Sequence, residues 1–161
     1  MSGIEGDMNG TQSGAAETQR PRRMIRSIGA VLAGLVAVVI LSVGTDAVMH
    51  AINVFPQVGE RMTEGLFLLA TAYRSVFAVA GGYITAWLAP ARPMKHALVL
   101  GFIGLALSVA GLVATWNGGP ELGPRWYPIT LVVTALPFTW LGGKLRMAQL
   151  RERQGITPQA A

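Results

Sequence analysis

The sequence predicts an all-α integral membrane bundle of four transmembrane helices, running up-down-up-down with both termini in the cytoplasm. Three observations lead there. The 161-residue chain is 52% apolar and only 13% charged, with a mean hydropathy of +0.45, whereas soluble domains carry about 25% charged residues. The charges are clustered, which leaves four long apolar runs. The basic residues collect at alternate ends of those runs, as the positive-inside rule requires.

Ser27 to Thr45 is 19 residues without a charge, and Leu66 to Ala89 is 24 with one. Ala97 to Pro120 is 24 with none, and Trp126 to Gly143 is 18 with none. Crossing the hydrocarbon layer takes about 20 apolar residues in a helix. Four buried helices of a soluble protein would each keep a polar stripe, and these runs have none. The spans are expected at about 27–49, 64–89, 96–116 and 126–144, within a transmembrane domain of 27–145.

Residues 1–26 precede the first span. They are rich in Gly, Ser, Thr, Gln and Glu and end in Arg20, Arg22, Arg23 and Arg26. Such a composition buries little and reads as a disordered, basic-ended cytoplasmic tail. Span one exceeds a signal-peptide core and no small-residue cleavage site follows, so it is expected to remain as an anchor. The first external loop, about His50 to Thr63, is short. Between spans two and three, Pro90 and Pro93 force a tight break beside Arg92 and Lys95. Trp116, Trp126 and Tyr127 edge the Gly- and Pro-rich second external loop, where an interfacial aromatic belt is expected. Beyond span four, residues 146–161 form a second cytoplasmic tail. Its start continues the helix through Lys144, Arg146, Arg151 and Arg153 until Gly155 and Pro158 end it.

Ten basic residues thus fall on one side and only Arg61 and Arg125 on the other. These flanks orient helices and meet anionic headgroups of the bilayer, so the net charge of +5 calls for no nucleic-acid partner. Cysteine is absent, which removes disulfide, zinc-thiolate and thiol redox chemistry.

Small residues recur at helical spacing: Gly101, Gly104, Ser108, Gly111 and Thr115 in span three, and Thr71, Ser75, Ala78, Gly82 and Thr85 in span two. Ala30, Gly34, Ala37, Leu41 and Gly44 give a weaker stripe in span one. In lipid such stripes let backbones approach, and they predict close packing of spans one to three. Gly81–Gly82 and Gly142–Gly143 read as packing or hinge glycines. Pro137 is expected to kink span four.

Arg74 is the one charge inside an apolar run. An arginine at mid-span costs about 2.5–3.5 kcal/mol on insertion scales, which the nine Leu, Ile, Phe and Val residues of its span narrowly outweigh. A partner lowers the cost further, and Asp46 approaches from the same side at similar depth once the arginine snorkels outward. His50, one turn beyond Asp46, Tyr73 beside Arg74, and Glu121 in the second external loop complete a candidate intramembrane polar site. Two ligands at Asp46 and His50 do not make a metal centre. No phosphate-binding loop, HExxH or GxSxG motif is present, so no catalytic residue, cofactor or metal is expected.

The strings GTDAVMHA, ATAYRSV, GGYITAWLAPARPMKHALVLG, ATWNGGPELGPRWYP and WLGGKL resemble an uncharacterised family of small four-span bacterial inner-membrane proteins. The resemblance covers about Ile28 to Leu145. It implies a bacterial inner-membrane setting and carries no activity, ligand or site residue. The expectation is therefore a non-enzymatic polytopic membrane protein, structural or accessory, with a homo-oligomer or another membrane protein as its possible partner. The alternative is a small oligomeric transporter or channel using an external-side site at Asp46, His50 and Arg74.

Overall fold

A computed structural model describes residues 8–56, 60–118 and 123–155. They form four helices: α1 (Met8–Ala51), α2 (Glu64–Leu88), α3 (Pro93–Thr115) and α4 (Trp126–Gly155). Each contains a stretch long and apolar enough to cross a membrane, over 22–51, 64–88, 93–115 and 126–153. The protein is thus a four-helix, multi-pass membrane bundle. Its loop end carries the α1–α2 and α3–α4 connections, and its terminal end carries the start of α1, the end of α4 and the α2–α3 turn.

Leu32, Val36, Val39, Ile40 and Val43 of α1 are exposed, as are Phe102, Leu107 and Val113 of α3 and Val133 of α4. In water such surfaces would be a liability, but against lipid tails they carry no penalty. What is buried is small: Ala30, Ala70, Ala86 and Ala97, with Phe67 and Leu100 the largest apolar residues inside the spans. The bundle therefore holds together by close backbone approach.

The approach is closest between α2 and α4. A Cβ placed on Gly82 would collide with the carbonyl oxygen of Thr139, and one on Gly142 with the carbonyl oxygen of Val79. Gly143 takes Met94 and Ala97 of α3 on its other side, with Met94 Sδ at 3.1 Å from where its Cβ would stand. Across the bundle, Gly34 of α1 meets Gly81 of α2, whose carbonyl oxygen lies 2.8 Å from a Cβ built on Gly34. Thr85 is fully buried beneath the same glycine.

Two expectations need correction. α4, with its Gly142–Gly143 pair, packs against both α2 and α3, whereas α1 rests on α2 and meets α3 more lightly. The close trio of spans one to three is thus replaced by a core of α2, α3 and α4. The stripe on α3 is correspondingly split: a Cβ on Gly101 would meet Leu136 and Thr139, while one on Gly104 or Gly111 would meet nothing within 4 Å among the described residues. A glycine only draws two helices together when the facing residue is also narrow, and α3 meets such a partner only near its terminal end.

The tail expected to be disordered over residues 1–26 is helical from Met8 onward, as a continuation of α1. Extending an existing helix avoids the nucleation cost, and the segment Ala15–Arg20 contains good helix formers. The first part of that tail, 1–7, lies outside the described residues, as does 156–161 of the C-terminal tail.

At the α2–α3 turn Arg92 adopts left-handed backbone angles, φ 48° and ψ 62°. The following Pro93 disfavours the right-handed helical region for it and opens α3 at its first turn. α4 runs through Pro137 as one helix. At the terminal end, Tyr83 of α2 donates to Gln149 Oε1 of α4 at 2.7 Å, and Lys144 Nζ stands 4.1 Å from the Trp140 ring centroid.

Replacing Gly82 or Gly142 by alanine is expected to destabilise the bundle by about 1–3 kcal/mol, because backbone atoms cannot yield to the new methyl group. Gly111→Ala, facing open space, is expected to be neutral or stabilising, since alanine is the better helix former. Unfolding of the full-length protein in mixed micelles, followed by circular dichroism, checks the contrast.

Candidate functional site

Two helices present the charged groups. Asp46 lies five residues before the end of α1 and Arg74 ten residues into α2. These positions are about 7 Å and 15 Å from the loop end of their helices. Side chains on α2 tilt toward its N-terminus, which is the loop end. The long arginine stem spans the remaining difference.

The two groups meet as an ion pair, Arg74 Nη2 to Asp46 Oδ2 at 2.5 Å, with side-chain exposures of 33% and 28%. Tyr73, adjacent in sequence, donates its hydroxyl to the other carboxylate oxygen, Oδ1. Asp46 is thus held by two donors from α2, one to each oxygen. Arg74 is less well supplied, because its buried Nε has no acceptor among the described residues.

Arg74 separates two hollows. Toward the loop end is a cavity of about 170 Å³ lined by Asp46, His50, Phe55, Phe67, Tyr73 and Tyr127. His50 meets the Phe55 ring edge-on, with centroids 5.5 Å apart. Tyr127 of α4 packs on Phe67 of α2 at 5.0 Å. Gly123, at φ 91°, seats its backbone against the same Phe67 ring. Toward the bundle centre lies a second cavity, also about 170 Å³, to which all four helices contribute. Leu35, Val38 and Ser42 line it from α1, and Ser75 and Ala78 from α2. Leu100, Gly104 and Ser108 face it from α3, and Leu131, Thr134, Ala135 and Thr139 from α4.

The central cavity exists because the helices diverge above their glycine contacts. Gly34–Gly81 and Gly82–Thr139 draw them together near its floor, and Gly104, where a Cβ would face open space among the described residues, leaves its wall open. Several hydroxyls on the wall are committed to their own helices. Ser75 donates to Thr71 O at 2.8 Å, Thr134 to Thr130 O at 2.7 Å and Thr139 to Ala135 O at 2.7 Å.

Of the residues singled out by sequence, the structure brings together Asp46, Tyr73 and Arg74 and places His50 in the same cavity. Glu121 lies outside the described residues. Sequence reasoning missed Ser42, Ser108 and Thr134 as cavity residues, and it placed Tyr127 chiefly in the interfacial belt, with a substrate-facing aromatic lip as the lesser reading. Ser75 and Ser108 belong to the small-residue stripes, whose spacing reads as packing positions. Ser42 is one turn before Asp46, a spacing that signals a shared helix face.

The chain matches no family model, no curated protein and no solved structure, so its functional reading rests on its own residues.

Tyr73→Phe is expected to cost about 0.6 kcal/mol, the average for an interhelical hydrogen bond in a membrane protein. Asp46→Asn, which leaves Arg74 without its counter-ion, is expected to cost several times more. If the two variants unfold at the same detergent composition, the ordering of the two contacts is wrong.

Proposed function

We propose that this is a non-enzymatic inner-membrane protein, a structural or accessory component with both termini in the cytoplasm. The observation that carries this reading is the self-sufficiency of the Asp46 carboxylate. Both its oxygens are taken by donors from α2, so the acidic group of the cluster serves to fix α1 against α2. Two lone-pair sites remain on the carboxylate, but its charge is already balanced by the Arg74 guanidinium, which suits a structural tie. Supporting the orientation, Arg22, Arg23, Arg26, Arg92, Lys95, Lys144 and Arg146 gather at the terminal end, where a cytoplasmic leaflet would offer anionic headgroups. A bacterial setting agrees with the small four-span resemblance.

A second reading, transport of a small solute by an oligomer, is favoured by the two cavities that meet at Arg74. Against it stands the floor of the central cavity, where backbones touch at Gly34–Gly81 and Gly82–Thr139. Passage through one bundle would require those contacts to part.

Two measurements test the proposal. Single cysteines introduced at Gln57 and at Thr157 of this cysteine-free chain are expected to react with a membrane-impermeant maleimide from outside only at Gln57; the reverse pattern defeats the orientation. In a charge-swap series, Asp46→Arg and Arg74→Asp each lower the folded yield in membranes, and the double variant restores part of it. No restoration, or a solute flux in vesicles that depends on Asp46, overturns the structural role.

A further inference from the structure

The central cavity has an uneven polar inventory. Its committed hydroxyls, Ser75, Thr134 and Thr139, have spent their hydrogens on helix carbonyls and offer only oxygen. Ser42 and Ser108, on α1 and α3, carry no hydrogen bond to any described residue, so their hydroxyl hydrogens are available. Arg74 roofs the space, but its Nε, without an acceptor among the described residues, is screened from it; the two serine hydroxyls are the free donors. In a low-dielectric interior, donors left in this state cost more than in water. The rest of the wall is apolar, chiefly Leu35, Val38, Leu100 and Leu131.

We propose that this cavity binds a small neutral, lipid-soluble molecule bearing a hydrogen-bond-accepting oxygen, such as an aryl ketone. Size, charge and access each support that class. A cavity of about 150 Å³ in another protein holds a benzene ring, and this one is about 170 Å³. The Asp46–Arg74 pair is already neutral as a unit. A second anion beside Asp46 would meet like-charge repulsion at low dielectric, and a second cation the same from Arg74. A neutral oxygen satisfies the unpaired donors and adds no charge. The body of the ligand replaces lipid contacts with the apolar wall. Entry is from the hydrocarbon layer along α1, whose contacts with α3 are light and with α4 lighter still.

This inference goes beyond the structural reading and does not depend on it; the site stands in either membrane orientation and with or without a scaffold role. The test uses full-length protein in lipid nanodiscs with para-fluoroacetophenone as probe, observed by fluorine NMR. Saturable binding is expected, about tenfold tighter than that of fluorobenzene, which lacks the oxygen. Para-fluorobenzoate is expected to bind more weakly than the ketone. Ala135→Phe, which fills the cavity, abolishes binding. The Ser42→Ala/Ser108→Ala double variant leaves the ion pair intact and weakens the ketone about tenfold while sparing fluorobenzene.

Equal affinity for ketone and fluorobenzene would mean an apolar void, and preference for the benzoate an anion site. A signal equal to that of protein-free nanodiscs would mean bilayer partition alone, and no saturable binding a cavity that holds only water. Each of these outcomes overturns the proposal. Should Ala135→Phe fail to fold, the serine double variant still decides it: unchanged selectivity for the ketone counts against the assignment.

Discussion

The meeting of α2 and α4 at Gly82, Thr139 and Gly142 governs the rest of the bundle. At that level two backbones are separated by less than the room a single methyl group needs, so the helices there act almost as one body. Hydrophobic burial contributes little to association in a bilayer, where lipid tails are as apolar as leucine. Dispersion between closely apposed backbones has to supply it, and only glycine allows the approach. Above the contact small residues such as Ser75, Ala78, Gly104 and Ala135 leave the space between the helices unfilled, and that space is the central cavity. The same glycines that hold the protein together therefore determine where it is hollow.

The polar cluster occupies the part of the bundle that this packing leaves open. An arginine in the α2–α4 seam would have no room and no counter-ion. Placed at the divergence, Arg74 reaches toward the loop end, takes Asp46 from α1 and leaves α4 to contribute Tyr127 from the side. The ion pair consequently joins α1, the most loosely held helix, to the rigid core. Tyr73 strengthens that tie without adding charge, which a low-dielectric region favours.

Much of this was legible in the sequence. The apolar runs delimit the four helices because hydrocarbon thickness fixes a length, and the Asp46–Arg74 meeting follows from depth and side-chain direction, both linear in residue number. Tyr73 was visible only as a neighbour, since its choice of Oδ1 depends on the rotation of α2. The cavities were not legible at all. Ser75 and Ser108 belong to stripes that look like packing surfaces, and whether a stripe closes or stays open depends on the width of the facing residues on another helix. Composition likewise suggested a loose tail before Arg26, and it undervalued how readily an established helix extends.

The hydrogen bond between Tyr83 and Gln149 has a mechanical consequence. α4 is 30 residues long, about 45 Å, so roughly a third of it exceeds a 30 Å hydrocarbon layer. Gln149 lies in that excess, about two turns past Gly142, yet it is bonded back to Tyr83 of α2, the residue next to Gly82. The protruding stretch is thereby a handle fixed to the stiffest part of the molecule. A load applied to it is delivered to the fulcrum at Gly142 and, beyond it, to the arm of α4 that carries Thr134 and Leu131 along the cavity wall.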